Sequence, residues 1–205
     1  MLTTIFILVV LFFSIVIHEV AHGSVALSLG DPTAKEAGRL TLNPLKHIDP
    51  VGTIFLPLIL LILTFGQGPI FGWAKPVPIN PFNFHDQKWG TLKVSVAGPG
   101  TNFLIAIIFG LIIRFFTLPE SLLILFSIIV VYNLAWGIFN LVPLPPLDGS
   151  WILSALLPER LSNIRFFLQQ YGLFILLFFI FFGLRWVFLG AQILYYLITG
   201  QPFAI

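Results

Sequence analysis

The sequence predicts an all-α polytopic membrane protein: about five hydrophobic helices, with a short extended or β segment lying against the membrane after the first of them. Three observations carry that expectation. The 205-residue chain is 58% hydrophobic and only 9% charged, against about 25% charged in soluble domains, so it cannot solvate itself as a globule. Its mean hydropathy is +1.03. Its apolar residues gather into runs close to the ~20 residues that cross a hydrocarbon layer.

The first run, Leu2 to Leu29, begins MLTTIFILVVLFFSIVI. It has no positive n-region and outlasts an h-region, so it reads as the first membrane helix rather than a signal peptide. Val51 to Phe65 is only 15 residues long, too short for a comfortable span. The following GQGPIFGWAKPVPINP is too rich in Gly and Pro for helix, and its alternating Pro76 and Pro78 suit an extended lining segment. Leu92–Thr117 and Ser121–Asn140 are full spans, separated by a short loop. The C-terminal run, Phe166 to Ile198, carries Arg185 mid-run. It is either one long tilted helix or a helix followed by an interfacial piece. Gly98, Gly100 and Gly110 read as close-packing positions between helices. Too few polar residues remain for a separate soluble domain, so residues 1–205 are expected to form one membrane domain, with a core over 1–155 and a C-terminal helical region over 166–199.

The net charge of +2 and the lack of a Lys/Arg cluster exclude a nucleic-acid partner of the usual electrostatic kind. Cysteine is absent, so any metal site must use imidazole, carboxylate or water. Lys35, Arg39 and Lys46 follow the first helix; Lys75, Lys88 and Lys93 precede the next full span; Arg160 and Arg165 precede the last. The positive-inside rule puts all of these on the cytoplasmic face of a multi-pass cell-membrane protein and leaves Arg114 and Arg185 elsewhere. Segments 30–50 and 75–93 then share a side, so 51–74 must dip in and return. Non-helical backbone at that depth is tolerated only when buried in protein or lining a wet cavity.

Inside the first apolar run stands HEVAH, residues 18–22. Ionisable groups in lipid are expensive and call for a function. At i and i+4 the two imidazoles share a helix face and can grip one Zn²⁺ at about 2.0–2.1 Å. Glu19 between them can act on a metal-activated water as general base without ligating. A catalytic zinc needs a third protein ligand. His47 and His85 sit in polar loops, where solvated or capping roles are usual; Asp31, Asp49, Asp86, Glu36, Glu120 and Glu159 sit at turn or helix-start signals. Asp148 differs: in FNLVPLPPLDGSWIL an apolar helix is broken by prolines and then resumes. Sixteen residues, Leu2–Ile17, rise roughly 24 Å at about 1.5 Å each, which sets His18 near the far face of the ~30 Å hydrocarbon layer. The two antiparallel spans after residue 92 bring Asp148 back to that depth. A His18–His22–Asp148 site just inside the cytoplasmic leaflet is therefore expected.

HEVAH, GDPTAKEAGRLTLNPLKHIDPVGT, FGWAKPVPIN, VAGPGTNF and NLVPLPPLDG, in this order, resemble the site-2 protease family of intramembrane zinc metalloproteases (peptidase family M50), in particular its compact bacterial and archaeal members. The resemblance covers roughly residues 10–155, and no PDZ or CBS module accompanies it. It implies His18, His22 and Asp148 as ligands of one Zn²⁺ and Glu19 as base. It implies further that Asn140 positions substrate backbone and that the Pro-rich stretch, Pro143 included, shapes the cleft. The AGPxxN motif is matched by Ala97, Gly98, Pro99 and Asn102. The implied activity is hydrolysis of peptide bonds within or beside transmembrane helices. An unwound substrate would need replacement hydrogen bonds, and Gly72–Pro81 or Arg39–Leu42 could supply an edge for strand addition; the alternative is that both segments only plug the membrane surface.

Two other functions could use the same residues. A zinc transporter or sensor would hold the metal without hydrolysis, although Glu19 would then be redundant. A non-catalytic partner would bind membrane helices by an extended edge and leave them uncut.

Overall fold

The structure, a computed structural model, describes residues 2–65 and 72–203. Four helices among them are long and apolar enough to cross a membrane: α1 (Leu2–Ser28), α4 (Gln87–Phe115), α5 (Glu120–Asn140) and α7 (Ser162–Phe182). Between and after them come the one-turn α2 (Thr33–Glu36), α3 (Leu56–Leu63), α6 (Asp148–Leu156) and α8 (Leu184–Thr199). No strand forms among the described residues. The protein is all-α and multi-pass, as its composition requires, and a lipid bilayer is its environment.

α4 is the central helix and packs against α1, α5, α6 and α8. Its start is fixed by Asp86, whose carboxylate accepts the Trp89 N–H at 3.0 Å, satisfying one of the orphan donors of a helix N-terminus. α1 stops where Gly30 takes φ +105°, a left-handed conformation that glycine adopts freely. The tightest apolar core lies where α4, α5 and α8 meet. Ala106, Ile113, Val130, Val131, Leu134, Ala135, Val187, Ala191 and Tyr195 bury one another there.

The stretch between α2 and α4 runs out and doubles back on itself. A π-helical turn, Pro50–Phe55, leads into α3. Residues 66–71, part of the expected non-helical stretch, lie outside the described residues. From 72 to 80 the backbone is non-helical and runs beside the outgoing limb: Trp73 N–H donates to Gly52 O at 3.1 Å and Lys75 N–H to His47 O at 2.8 Å. Val77 is buried between exposed Pro76 and Pro78, the alternation of an extended segment without a strand partner.

Three expectations need correction or sharpening. The C-terminal run is two helices, α7 and α8, hinged at Gly183, where a Cβ would lie 2.3 Å from the Phe179 ring. Gly98 and Gly110 do sit at close approaches, but Gly100 faces open space. His47, expected to be solvated or to cap, is fully buried, and its Nε2–H donates to Thr41 O at 2.9 Å inside the 41–47 loop. Arg114, unassigned by the charge pattern, donates to the Leu197 and Ile198 carbonyls at 3.0 and 3.2 Å. It neutralises the carbonyl end of α8, where a cation is favoured.

Candidate metal centre

α1 presents His18 and His22 one turn apart, 3% and 6% exposed. The loop after α5 turns the chain so that Asp148, at the start of α6, meets them. Asp148 Oδ2 lies 3.0 Å from His18 Nε2 and 3.2 Å from His22 Nε2, and the two Nε2 atoms are 3.0 Å apart. Among the described residues this is the one cluster of His, Asp and Glu whose ligand atoms converge closely enough to hold a metal ion.

The outer bonds fix what those three atoms can be. His22 Nδ1 faces the Val94 carbonyl at 2.7 Å, which can only accept, so the proton sits on Nδ1. His18 Nδ1 faces Asn102 Oδ1 at 2.7 Å. The amide orientation of Asn102 follows from its other end, which donates to Ser14 O at 3.2 Å and Asn133 Oδ1 at 3.0 Å. Asn133 in turn donates to the Ile129 carbonyl at 2.9 Å. With Nδ1 protonated, the neutral form of each imidazole carries its lone pair on Nε2, the atom that faces Asp148 Oδ2. Asp148 Oδ2 is buried and without a hydrogen bond. Three lone-pair atoms at this spacing repel one another unless a cation lies between them. Tetrahedral zinc with bonds of about 2.0–2.1 Å sets its ligand atoms roughly 3.3–3.4 Å apart, so the triangle fits zinc after a shift of a few tenths of an ångström. An acceptor on the Nδ1–H of each imidazole is the usual device for orienting such ligands.

α4 makes room for the pair. A Cβ on Gly98 would lie 2.4 Å from His22 Nε2 and 2.6 Å from His18 Nε2. Pro99, next along α4, lacks an N–H and leaves the Ser95 carbonyl without its helical donor, in the turn beside the one whose Val94 carbonyl receives His22. Gly149 plays a similar part beside Asp148, since a Cβ there would lie 2.3 Å from the Leu141 carbonyl oxygen.

Glu19 is half-buried on the adjacent face of α1, and its Oε2 accepts the Val77 N–H at 2.8 Å. The 72–80 segment is pinned a second time at Asp31, which accepts from Asn80 N–H and Asn83 Nδ2, both at 2.7 Å, and from the Thr33 hydroxyl. Burial works to raise the Asp31 pKa, but the hydrogen bonds from Thr33, Asn80 and Asn83 prevail and hold it below the usual carboxylate range. Asn140 is buried at the end of α5, its amide donating to Trp136 O at 3.0 Å. Pro143 is exposed in the following loop. His85 stands apart from the cluster, donating to Leu29 O at 3.0 Å.

Sequence reasoning gave Asn102 no role beyond a motif match and passed over Asn133 and Trp136. A signal was present for Asn133: a polar amide inside an otherwise apolar span implies a partner.

The profile of Peptidase family M50 matches residues 117–183, the part that carries Asn140 and Asp148. The chain is 39% identical over 181 residues to "Putative zinc metalloprotease YwhC" of Bacillus subtilis (strain 168), covering 84% of this chain and 78% of that one. It is 30% identical over 142 residues to "Putative zinc metalloprotease Rip2" of Mycolicibacterium smegmatis, covering 66% of this chain and 51% of the relative. It is 29% identical over 157 residues to "Zinc metalloprotease MJ0392" of Methanocaldococcus jannaschii, covering 77% of this chain and 36% of the relative. No solved structure matches. The chain belongs to peptidase family M50, the site-2 protease family of intramembrane zinc metalloproteases.

Proposed function

We propose that this chain is an active endopeptidase of the cell membrane, cutting peptide bonds within or next to the transmembrane helix of a membrane-protein substrate. On this reading residues 1–205 work as one domain, His18, His22 and Asp148 hold one Zn²⁺, and the site opens toward the cytoplasmic face. The observation that carries the proposal is the convergence of three potential ligand atoms, two imidazole nitrogens and a carboxylate oxygen, within 3.0–3.2 Å, with a carboxylate one residue from the first of them.

When bound, zinc would supply a Lewis acid that polarises a carbonyl oxygen and lowers the pKa of its water toward ~7. The chain supplies the rest. Val77 N–H holds Glu19 through one oxygen, leaving the other with no hydrogen bond among the described residues. Glu19 takes the proton from the attacking water and passes it to the leaving amine. A substrate helix must unwind before attack, because its carbonyls are hydrogen-bonded. Asn140 and Pro143 then hold and shape its extended backbone, and the 72–80 segment lies alongside. Glu19, which a transporter or sensor would not need, favours hydrolysis.

The test is co-expression with tagged single-span candidates, comparing wild type with Glu19→Gln by fragment appearance. Fragments from wild type and none from Glu19→Gln are expected, at equal zinc content. Equal cutting by both, or binding without cutting by the zinc-loaded wild type, overturns the reading.

A further inference from the structure

Two buried side-chain atoms beside the metal cluster lack a hydrogen bond: Asp148 Oδ2, which a cation would satisfy, and Trp136 Nε1. An indole N–H can only donate, so no metal can satisfy it. Buried donors without acceptors are rare in native structures, and each calls for a reason. Trp136 lies on the face of α5 that looks at the site. With 3.6 residues per turn, Trp136 is about 60° and Asn140 about 20° around the helix from Asn133. Asn133 is bonded to Asn102 at the back of His18. The indole stands edge to face with the His18 imidazole, ring centroids 6.3 Å apart and planes at 70°. Its backbone carbonyl accepts from Asn140, which ties this turn of α5 to the loop that delivers Asp148.

We infer that the acceptor for Trp136 is the substrate. Its indole N–H donates to the oxygen of the scissile carbonyl and holds the charge that develops there. This rests on the protease reading above. As water oxygen bonds to the carbonyl carbon, the π pair moves onto the carbonyl oxygen and the water's proton passes to Glu19. When the C–N bond breaks, the pair returns to restore the carbonyl, and the proton leaves on the amine. A prepositioned donor is useful here because it strengthens as the oxygen becomes anionic, and a water-poor site screens it little. An aliphatic residue at 136 would lack this property.

Two substitutions test it. Trp136→Phe keeps an aromatic ring but no donor; a benzothiophene amino acid at 136 replaces the N–H with sulfur and keeps the indole's shape. Both are expected to lower kcat about 10- to 100-fold, on the scale of single oxyanion donors, with KM within about threefold and zinc content unchanged. Independently of turnover, one ¹⁵N-indole proton resonance, missing in Trp136→Phe, should move downfield when wild type binds a peptide hydroxamate. Unchanged kcat in the benzothiophene protein overturns the inference, as does loss of zinc along with activity, or an indole resonance that stays put at saturation. Should Glu19→Gln be inert while the benzothiophene protein cuts at the wild-type rate, the protease reading stands and the Trp136 inference alone fails.

Discussion

The two ends of α4 are built on opposite logics. Toward its N-terminus, Val94, Gly98 and Asn102 serve the imidazoles of α1 through one carbonyl, one missing side chain and one oriented amide. Toward its C-terminus, Ala106, Gly110 and Ile113 fill space against α5 and α8. In the first region each atom has a direction and one partner. In the second, volume and close contact suffice, and similar side chains could be exchanged at modest cost. Perturbing the polar end should therefore show in metal affinity, and perturbing the apolar end in stability.

The largest effect expected is at Asp148. Asp148→Asn removes the anion from the triangle while nearly preserving its volume. Zinc in the purified protein should drop below about 0.1 per chain by elemental analysis. Without zinc, however, Asp148→Asn should melt no lower than metal-free wild type, because an amide N–H can donate to a bare imidazole nitrogen where a carboxylate only repels it. If metal-free Asp148→Asn is clearly less stable, the cluster is a structural hydrogen-bond site and the comparison breaks.

Next comes a pair two residues apart. Gly98→Ala drives a methyl into both imidazoles, with 2.4 Å to His22 Nε2 and 2.6 Å to His18 Nε2. Zinc affinity should fall about 100-fold, at the upper end of what disturbing the ligands' support does. Gly100→Ala meets nothing within 4 Å. It should leave zinc binding alone and stabilise α4 by up to about 1 kcal/mol, the difference in helix propensity. Competition with a chromophoric chelator separates the two; equal affinities would mean that α4 does not support the site.

How much of this could be read beforehand follows from the same contrast. HEVAH and Asp148 were legible because a charged or ionisable group inside lipid is expensive and its partner must lie at matching depth. Charge placement predicted that 51–74 doubles back, and Trp73 and Lys75 do bond to Gly52 and His47 on the outgoing limb. Asn102's bond to His18 was not legible, since an amide eighty-four residues away in sequence gives no local signal of which way it points. His47 was misjudged because its burial depends on the fold of its own loop, which a string of polar residues does not reveal. The break at Gly183 was left open because Arg185 between two apolar runs suits either a tilted helix or a hinge. Gly100 was grouped with Gly98 and Gly110 because spacing identifies a helix face only once the neighbours of that face are known.

On the apolar side the effect should be smaller and purely structural. Tyr195 is 2% exposed, and its hydroxyl meets Ser127 Oγ at 2.7 Å between α8 and α5. Tyr195→Phe removes that bond and little volume, so it should destabilise the protein by about 1 kcal/mol in a detergent-to-SDS unfolding titration. Zinc content and cutting should be unchanged. A loss of zinc in Tyr195→Phe would mean that the two ends of the bundle are coupled, and the division drawn between them would be wrong.

The smallest effect expected is confined to acid. Asp31 joins the end of α1 to the 72–83 segment, and its folded pKa lies below the ordinary aspartate value. A group depressed in the folded state adds stability that is fully present above its unfolded pKa and fades as pH falls through the folded one. The carboxylate's contribution should therefore be constant from pH 7 to about 5 and vanish only below about 3.8. In Asp31→Asn one of the two acceptor oxygens becomes an amide donor that faces Asn80 N–H or the Asn83 amide, so the substitution should be less stable than wild type at pH 7. That gap should narrow only beneath pH 4, as the wild-type carboxylate protonates and loses the same acceptor. Unfolding titrations at pH 7, 5, 4 and 3 measure it. A gap that stays constant down to pH 3 would mean that the hydrogen bonds to Asp31 are worth no more to a carboxylate than to an amide, and that the segment is held by packing of Val77 against Gly23 and by the Glu19 bond alone.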